Sequence, residues 1–162
     1  VLDGGLKVWI NENREINQQV RELVPTVFTP RVREELFATV DEVDAVRKSS
    51  DHCVFDSRGA EGYHGGGKYY DPVRGHIAGA GLADRAEITD SNGFFKSKEE
   101  LKKRYESLIG NVKPENTIFY CGSGVTAAQN VLAMKHAGFA DTKMYIGSWS
   151  EWITDPSREI SL

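Results

Sequence analysis

Cys121 is followed at once by Gly122, Ser123, Gly124, Val125 and Thr126, and preceded by four β-prone residues, Thr117 to Tyr120. A strand that runs into a glycine-rich turn and then a helix leaves several backbone N–H groups without partners. Those groups converge with the positive end of the helix dipole on whatever occupies the turn. A thiol at that point is expected to have a lowered pKa and to serve as a nucleophile. A buried structural cysteine also fits the strand, but it has no need of the flanking glycines and hydroxyls. The other cysteine, Cys53, opens the short apolar run Cys53 to Phe55 and reads as an inert core residue.

The elements that must hold this turn follow from periodicity and capping signals. Val27-Phe28 reads as a first strand, with Pro30 after it. Thr39 to Lys48 reads as a helix capped by Thr39 with Glu42 three positions on, and Val40, Val43 and Val46 on one face. Cys53 to Asp56 is a strand, and a long polar loop over 59–79 follows, containing Gly65-Gly66-Gly67. Gly81 to Ile88 holds a weak strand. Ser97 and Glu100 form a capping box for a helix with Leu101, Tyr105, Leu108 and Ile109 on one stripe. The helix after the cysteine turn runs from Gly124 to His136 with Gly138 at its end, and Lys143 to Ile146 is the last strand. Alternating strands and helices predict an α/β fold, a central parallel sheet of about five strands with helices on both faces. In such sheets ligands bind at the carboxyl ends of the strands, where Cys121 stands.

The chain has 162 residues, 40% hydrophobic and 27% charged, with a formal net charge of −4. That length fits one domain with a core of its own. The acidic balance, with no dense Lys/Arg cluster, excludes nucleic acid as a partner. Two cysteines exclude a disulfide-dense secreted scaffold, and no apolar run reaches the length of a membrane span. Nothing in the residue pattern calls for a cofactor or a metal. The opening Val1 to Trp9 echoes Met144 to Trp152, with Gly4 aligned to Gly147 and Trp9 to Trp152. This suggests that residues 1–9 are the last strand and turn of a preceding copy of the same domain, 10–26 a linker, and 27–162 the domain itself. A longer natural chain follows from this, with any targeting signal out of view and a cytoplasmic location expected.

Four pieces in order resemble the rhodanese superfamily of sulfurtransferases, specifically the second, catalytic domain of the tandem-domain enzymes. They are Asp56-Ser57-Arg58, Arg74-Gly75-His76-Ile77-Ala78-Gly79-Ala80, Cys121 to Thr126, and Gly147-Ser148-Trp149-Ser150-Glu151-Trp152. The resemblance spans 27–152, with residues 1–9 matching the end of the family's inactive first domain. It implies that Cys121 takes sulfur from a small anionic donor, carries it as a persulfide, and passes it to cyanide, a small thiol or thioredoxin. Gly122 to Thr126 would cradle the anion, Arg58 would bind the donor, and Asp56 and His76 would give structural support. The Gly-Ser-Gly-Val-Thr pattern favours 3-mercaptopyruvate over thiosulfate.

The sequence departs from the family at Gly62, where a second arginine is usual and Arg74 is the nearest substitute. It departs also at Ala78, where proline is usual, and at Leu82-Ala83-Asp84. Arg58 has a structural alternative, pairing with Asp56 or another nearby carboxylate. For tandem enzymes of the mercaptopyruvate type, the resemblance implies that a His and an Asp of the first domain support the serine matching Ser123. Two rival functions are a cysteine-based phosphatase or arsenate reductase and a non-catalytic binding module. The first wants an arginine six positions after the cysteine, where Ala127 stands, and the second typically lacks the cysteine.

Overall fold

The computed structural model describes residues 1–67 and 71–162. In chain order the elements are α1 (Gly5–Asn11), β1 (Phe37–Ala38), α2 (Val40–Val46), β2 (Cys53–Asp56), α3 (Ala60–Tyr63), β3 (His76–Ile77) and β4 (Gly81–Leu82). After these come α4 (Lys98–Ile109), β5 (Thr117–Tyr120), α5 (Ala127–His136), β6 (Lys143–Tyr145), α6 (Ser148–Trp152) and β7 (Ile160–Ser161). Five of the strands form one parallel sheet in the order β1-β6-β5-β2-β4. The expected architecture is therefore the observed one. β5 sits at the centre, every residue buried, because its neighbours β2 and β6 cover both edges and helices cover both faces.

Alternation along the strands divides the core. Phe55 and Phe119 face α4 and α5, joining Leu101, Tyr105, Ile109, Ala133 and Met134. Val54, Ile118 and Tyr120 face the other way, onto Val43 of α2 and Trp149 and Trp152 of α6. Local signals set the helix ends. The Ser97 hydroxyl accepts from Glu100 N–H, while the Glu100 carboxylate accepts from Ser97 N–H at 3.0 Å, a complete capping box. α5 ends with Gly138 N–H donating to Lys135 O and Phe139 N–H to Met134 O, with Gly138 at φ 94°.

Four expectations need correction. Val27 and Phe28 form no strand and are exposed; the sheet edge they would have taken is filled by Phe37–Ala38, which pairs with Met144 and Tyr145. Residues 1–9 are not a strand but lead into α1, since Gly4 and Gly5 adopt positive φ and turn the chain into a helix. α5 begins at Ala127, because Gly124 at φ 83° cannot continue a right-handed helix. The polar stretch over 59–79, of which 68–70 lie outside the described residues, contains α3 and β3. β3 pairs antiparallel with β7, which periodicity over two residues could not reveal.

Asn130 on α5 ties the sheet to both helices above it. Its buried amide donates to Ala83 O at 2.9 Å, and its Oδ1 accepts from the Tyr105 hydroxyl at 2.9 Å. Asn130→Ala strands Ala83 O and leaves the Tyr105 hydroxyl only the backbone carbonyl of residue 130, 3.2 Å away, so we expect it to lower unfolding free energy by about 1–3 kcal/mol, measured by urea denaturation.

Candidate active site

The turn after β5 is held from outside. The first N–H groups of α6 fold back on its carbonyls: Trp149 N–H donates to Cys121 O and Ser150 N–H to Gly122 O, each at 3.0 Å. The Ser148 hydroxyl accepts from Cys121 N–H at 3.1 Å and donates to Tyr145 O at 2.9 Å. Ser148 is fully buried and sits at φ 54°, a conformation that few side chains other than glycine adopt. Gly124, at φ 83°, lies against Ile146, whose carbonyl would be 2.9 Å from any added Cβ. With its first two carbonyls satisfied by α6, the turn leaves its own donors unspent. Among the described residues, the N–H groups of Gly122, Ser123, Gly124, Val125, Thr126 and Ala127 make no hydrogen bond.

Cys121, 2% exposed, lies at the floor of a pocket of about 360 Å³. Gly122, Ser123 and Thr126 line it on the side of the turn, and Arg58, Glu61, Asp71 and Arg85 bring charge to it. The Arg58 guanidinium is largely engaged. Its Nε is 3.0 Å from both Asp56 oxygens, Nη2 is 2.6 Å from Asp56 Oδ2 and 2.6 Å from Gly75 O, and the group lies 5.0 Å from the centre of the Trp149 ring. Asp56 is fully buried, so this pair is a structural necessity as well as a pocket wall. Glu61 is pinned under the glycine run: a Cβ on Gly67 would lie 3.0 Å from its carboxyl carbon. Asp71 Oδ1 and Gly122 O lie 3.0 and 2.8 Å from the Ser150 hydroxyl, two acceptors for one proton.

The predicted residues are therefore sorted by the fold. Cys121, Gly122, Ser123, Thr126 and Arg58 line the pocket, whereas Gly124 and Val125 shape the turn without lining it. Arg74 is exposed and does not line the pocket; Arg85, on the short turn of 3-10 helix after β4, does. His76 is buried away from it, stacked 3.7 Å from the Tyr63 ring with Nδ1 2.9 Å from Tyr63 O. Arg85, Glu61 and Asp71 were missed by sequence reasoning, because each reaches the pocket from a loop with no motif of its own. Ser148 was quoted in a motif, but its contact with Cys121 depends on the fold. Among the described residues no group of three or more His, Cys, Asp or Glu side chains is arranged to hold a metal ion. No helix among them is long and apolar enough to cross a membrane.

A family model described as a rhodanese-like domain matches residues 39–155. The chain is 34% identical over 161 residues to a probable 3-mercaptopyruvate sulfurtransferase of Pseudomonas aeruginosa, covering 99% of this chain and 57% of that protein. It is 31% identical over 156 residues to a thiosulfate sulfurtransferase of Bos taurus, covering 94% of this chain and 52% of that one. The chain thus spans little more than half the length of either relative. A crystal structure of an anaerobic ergothioneine biosynthesis enzyme from Chlorobium limicola shares the fold, with a TM-score of 0.85 over 99% of this chain and 40% of that one, at 22% identity.

The two cysteines should separate cleanly. Burial pushes the Cys53 thiol above its ordinary value, whereas Cys121 opens a turn of unspent donors. With limiting iodoacetamide at neutral pH, peptide mass spectrometry should find Cys121 alkylated well before Cys53. Arg58→Ala, which strands a buried carboxylate, should cost about 3–5 kcal/mol of stability in a denaturation experiment.

Proposed function

The chain belongs to the rhodanese-like domain family, and from that membership we propose that it is a sulfurtransferase working through a persulfide on Cys121. The observation that carries this reading is the buried cysteine at the carboxyl end of β5, opening a turn whose six following N–H groups make no hydrogen bond among the described residues. The Cys121 thiolate attacks the transferable sulfur of the donor. With 3-mercaptopyruvate the carbon–sulfur bond breaks, and its electrons leave with pyruvate enolate, which takes up a proton. With thiosulfate the sulfur–sulfur bond breaks and sulfite leaves. Either way Cys121 holds one extra sulfur as an anion, which the loop N–H groups stabilise without a cation. A second nucleophile, cyanide or a thiol such as that of thioredoxin, then attacks the outer sulfur and regenerates the thiolate.

The charge of the pocket supports 3-mercaptopyruvate as the donor. Among the described lining residues, Arg58 and Arg85 are balanced by Glu61 and Asp71, and Arg58 is already neutralised by Asp56. A dianion such as thiosulfate gains little there, whereas a monoanion needs one guanidinium. Arg85, with no ion pair among the described residues, is placed to take its carboxylate. A phosphatase reading finds no support, since Ala127 occupies the position where an arginine would be needed and is buried.

We also propose that residues 1–9 close a preceding domain of the same kind, joined through the linker at 10–26. Gly4-Gly5 and Gly147-Ser148 each lead into a short helix, and the second residue of each pair has positive φ, 62° at Gly5 and 54° at Ser148. That preceding domain would be a partner of the pocket.

Steady-state sulfur transfer from each donor, measured on the full-length protein, tests the function. Cys121→Ser should lose at least about a thousandfold in kcat/KM, and the wild type should prefer 3-mercaptopyruvate. A persulfide should appear on Cys121 by mass spectrometry after exposure to donor alone. Transfer that survives the loss of Cys121 would sink the mechanism, and a thiosulfate preference would sink the donor assignment.

A further inference from the structure

Ser57 is fully buried, and its hydroxyl has no hydrogen-bond partner among the described residues. A hydroxyl left unmatched in a protein interior costs roughly 1–3 kcal/mol, so its retention calls for an explanation. Its neighbours in the sheet supply one. β2 and β5 run in register from Cys53↔Thr117 to Asp56↔Tyr120, and Ser57 N–H continues the ladder onto Tyr120 O at 2.7 Å. The next pair in that register is Ser57 beside Cys121.

Their side chains leave the sheet on the same face. Phe55 and Phe119, two residues earlier on each strand, are paired in register, stack at 5.8 Å, and belong to the cluster under α4 and α5 that also contains Cys121. Alternation puts Ser57 on that face with them. On its other flank the register of β2 with β4 puts Ser57 beside Ala83, which offers no side-chain acceptor. Adjacent strands lie about 4.8 Å apart, so a rotation about the single χ1 of Ser57 can swing its hydroxyl toward a sulfur on Cys121.

We infer that the Ser57 hydroxyl, paired in register with Cys121 and otherwise unpartnered, donates a hydrogen bond to the Cys121 sulfur when that sulfur is an anion. It reaches the sulfur from the sheet, beneath the cysteine, while the loop N–H groups of Gly122 to Ala127 belong to the turn above. A charge-assisted bond of this kind is stronger than a neutral one and favours the thiolate over the thiol. The charged groups that line the pocket with Cys121 are Arg58, Glu61, Asp71 and Arg85.

The inference deepens the sulfur-transfer reading but is tested on the thiol alone, so the failure of one is a separate result from the failure of the other. The rate of Cys121 alkylation by iodoacetamide is followed from pH 5 to 10 in wild type and Ser57→Ala, with the melting temperature of each. Removing the hydroxyl should move the alkylation profile toward higher pH and slow alkylation on its acid limb about tenfold. The melting temperature should hold or rise, because an unmatched buried hydroxyl has been removed. An unshifted pH profile overturns the inference. So does a Ser57→Ala protein that melts markedly lower or does not fold, since the hydroxyl would then be holding the structure together and not waiting for an anion.

Discussion

Two backbone donors of α6 and one serine hydroxyl bind the start of the turn after β5, and the site depends on that attachment. Trp149 and Ser150 N–H groups take the carbonyls of Cys121 and Gly122, and Ser148 holds the Cys121 amide. A tight turn normally closes by pairing its own carbonyls with its own amides. Here the carbonyls at its start are paired elsewhere, and the amides are left without partners among the described residues. The arrangement is costly: Ser148 is held at positive φ in a buried position. Burial of Trp149 and Trp152 against β2, β5 and β6 anchors the helix that imposes it.

The treatment of charge follows from the same economy of donors. Backbone amides can hold negative charge with few cations, and this pocket has few cations to spare. Arg58 is held to buried Asp56 through its Nε and one terminal nitrogen, and it covers Trp149. Its first task is to keep the end of β2 next to α6, which in turn keeps the turn in place. Carboxylates at Glu61 and Asp71 offset the positive charge that remains. The pocket wall therefore carries a near balance of charge and no strong local field.

The elements around the cysteine were legible because their signals are local. Thr117 to Tyr120 is a run of β-prone residues, Ser97 and Glu100 cap within one turn of helix, and Gly138 ends α5 by the left-handed conformation it allows. Where order depends on partners distant in sequence, the expectations failed. Val27-Phe28 has the composition of a strand, but strand formation needs a free edge, and Phe37–Ala38 occupies it. β3 and β7 exist only as each other's partner, eighty-odd residues apart in the chain. Arg74, expected at the pocket, does not line it, whereas Arg85 does, because the turn after β4 carries Arg85 there.

The sequence by itself determined that a cysteine ends a central strand, that glycines and hydroxyls follow it, and that helices alternate with parallel strands. Those properties belong to residue type and short spacing. Only the tertiary structure decided that α6 would hold the turn, that Arg58 would pair with Asp56, and that Ser57 would continue the register beside Cys121 with its hydroxyl unpartnered among the described residues. The reason is physical. Sheet register and helix docking bring together groups from β2, β4, β5 and α6, and no short spacing in the chain encodes which of them will meet.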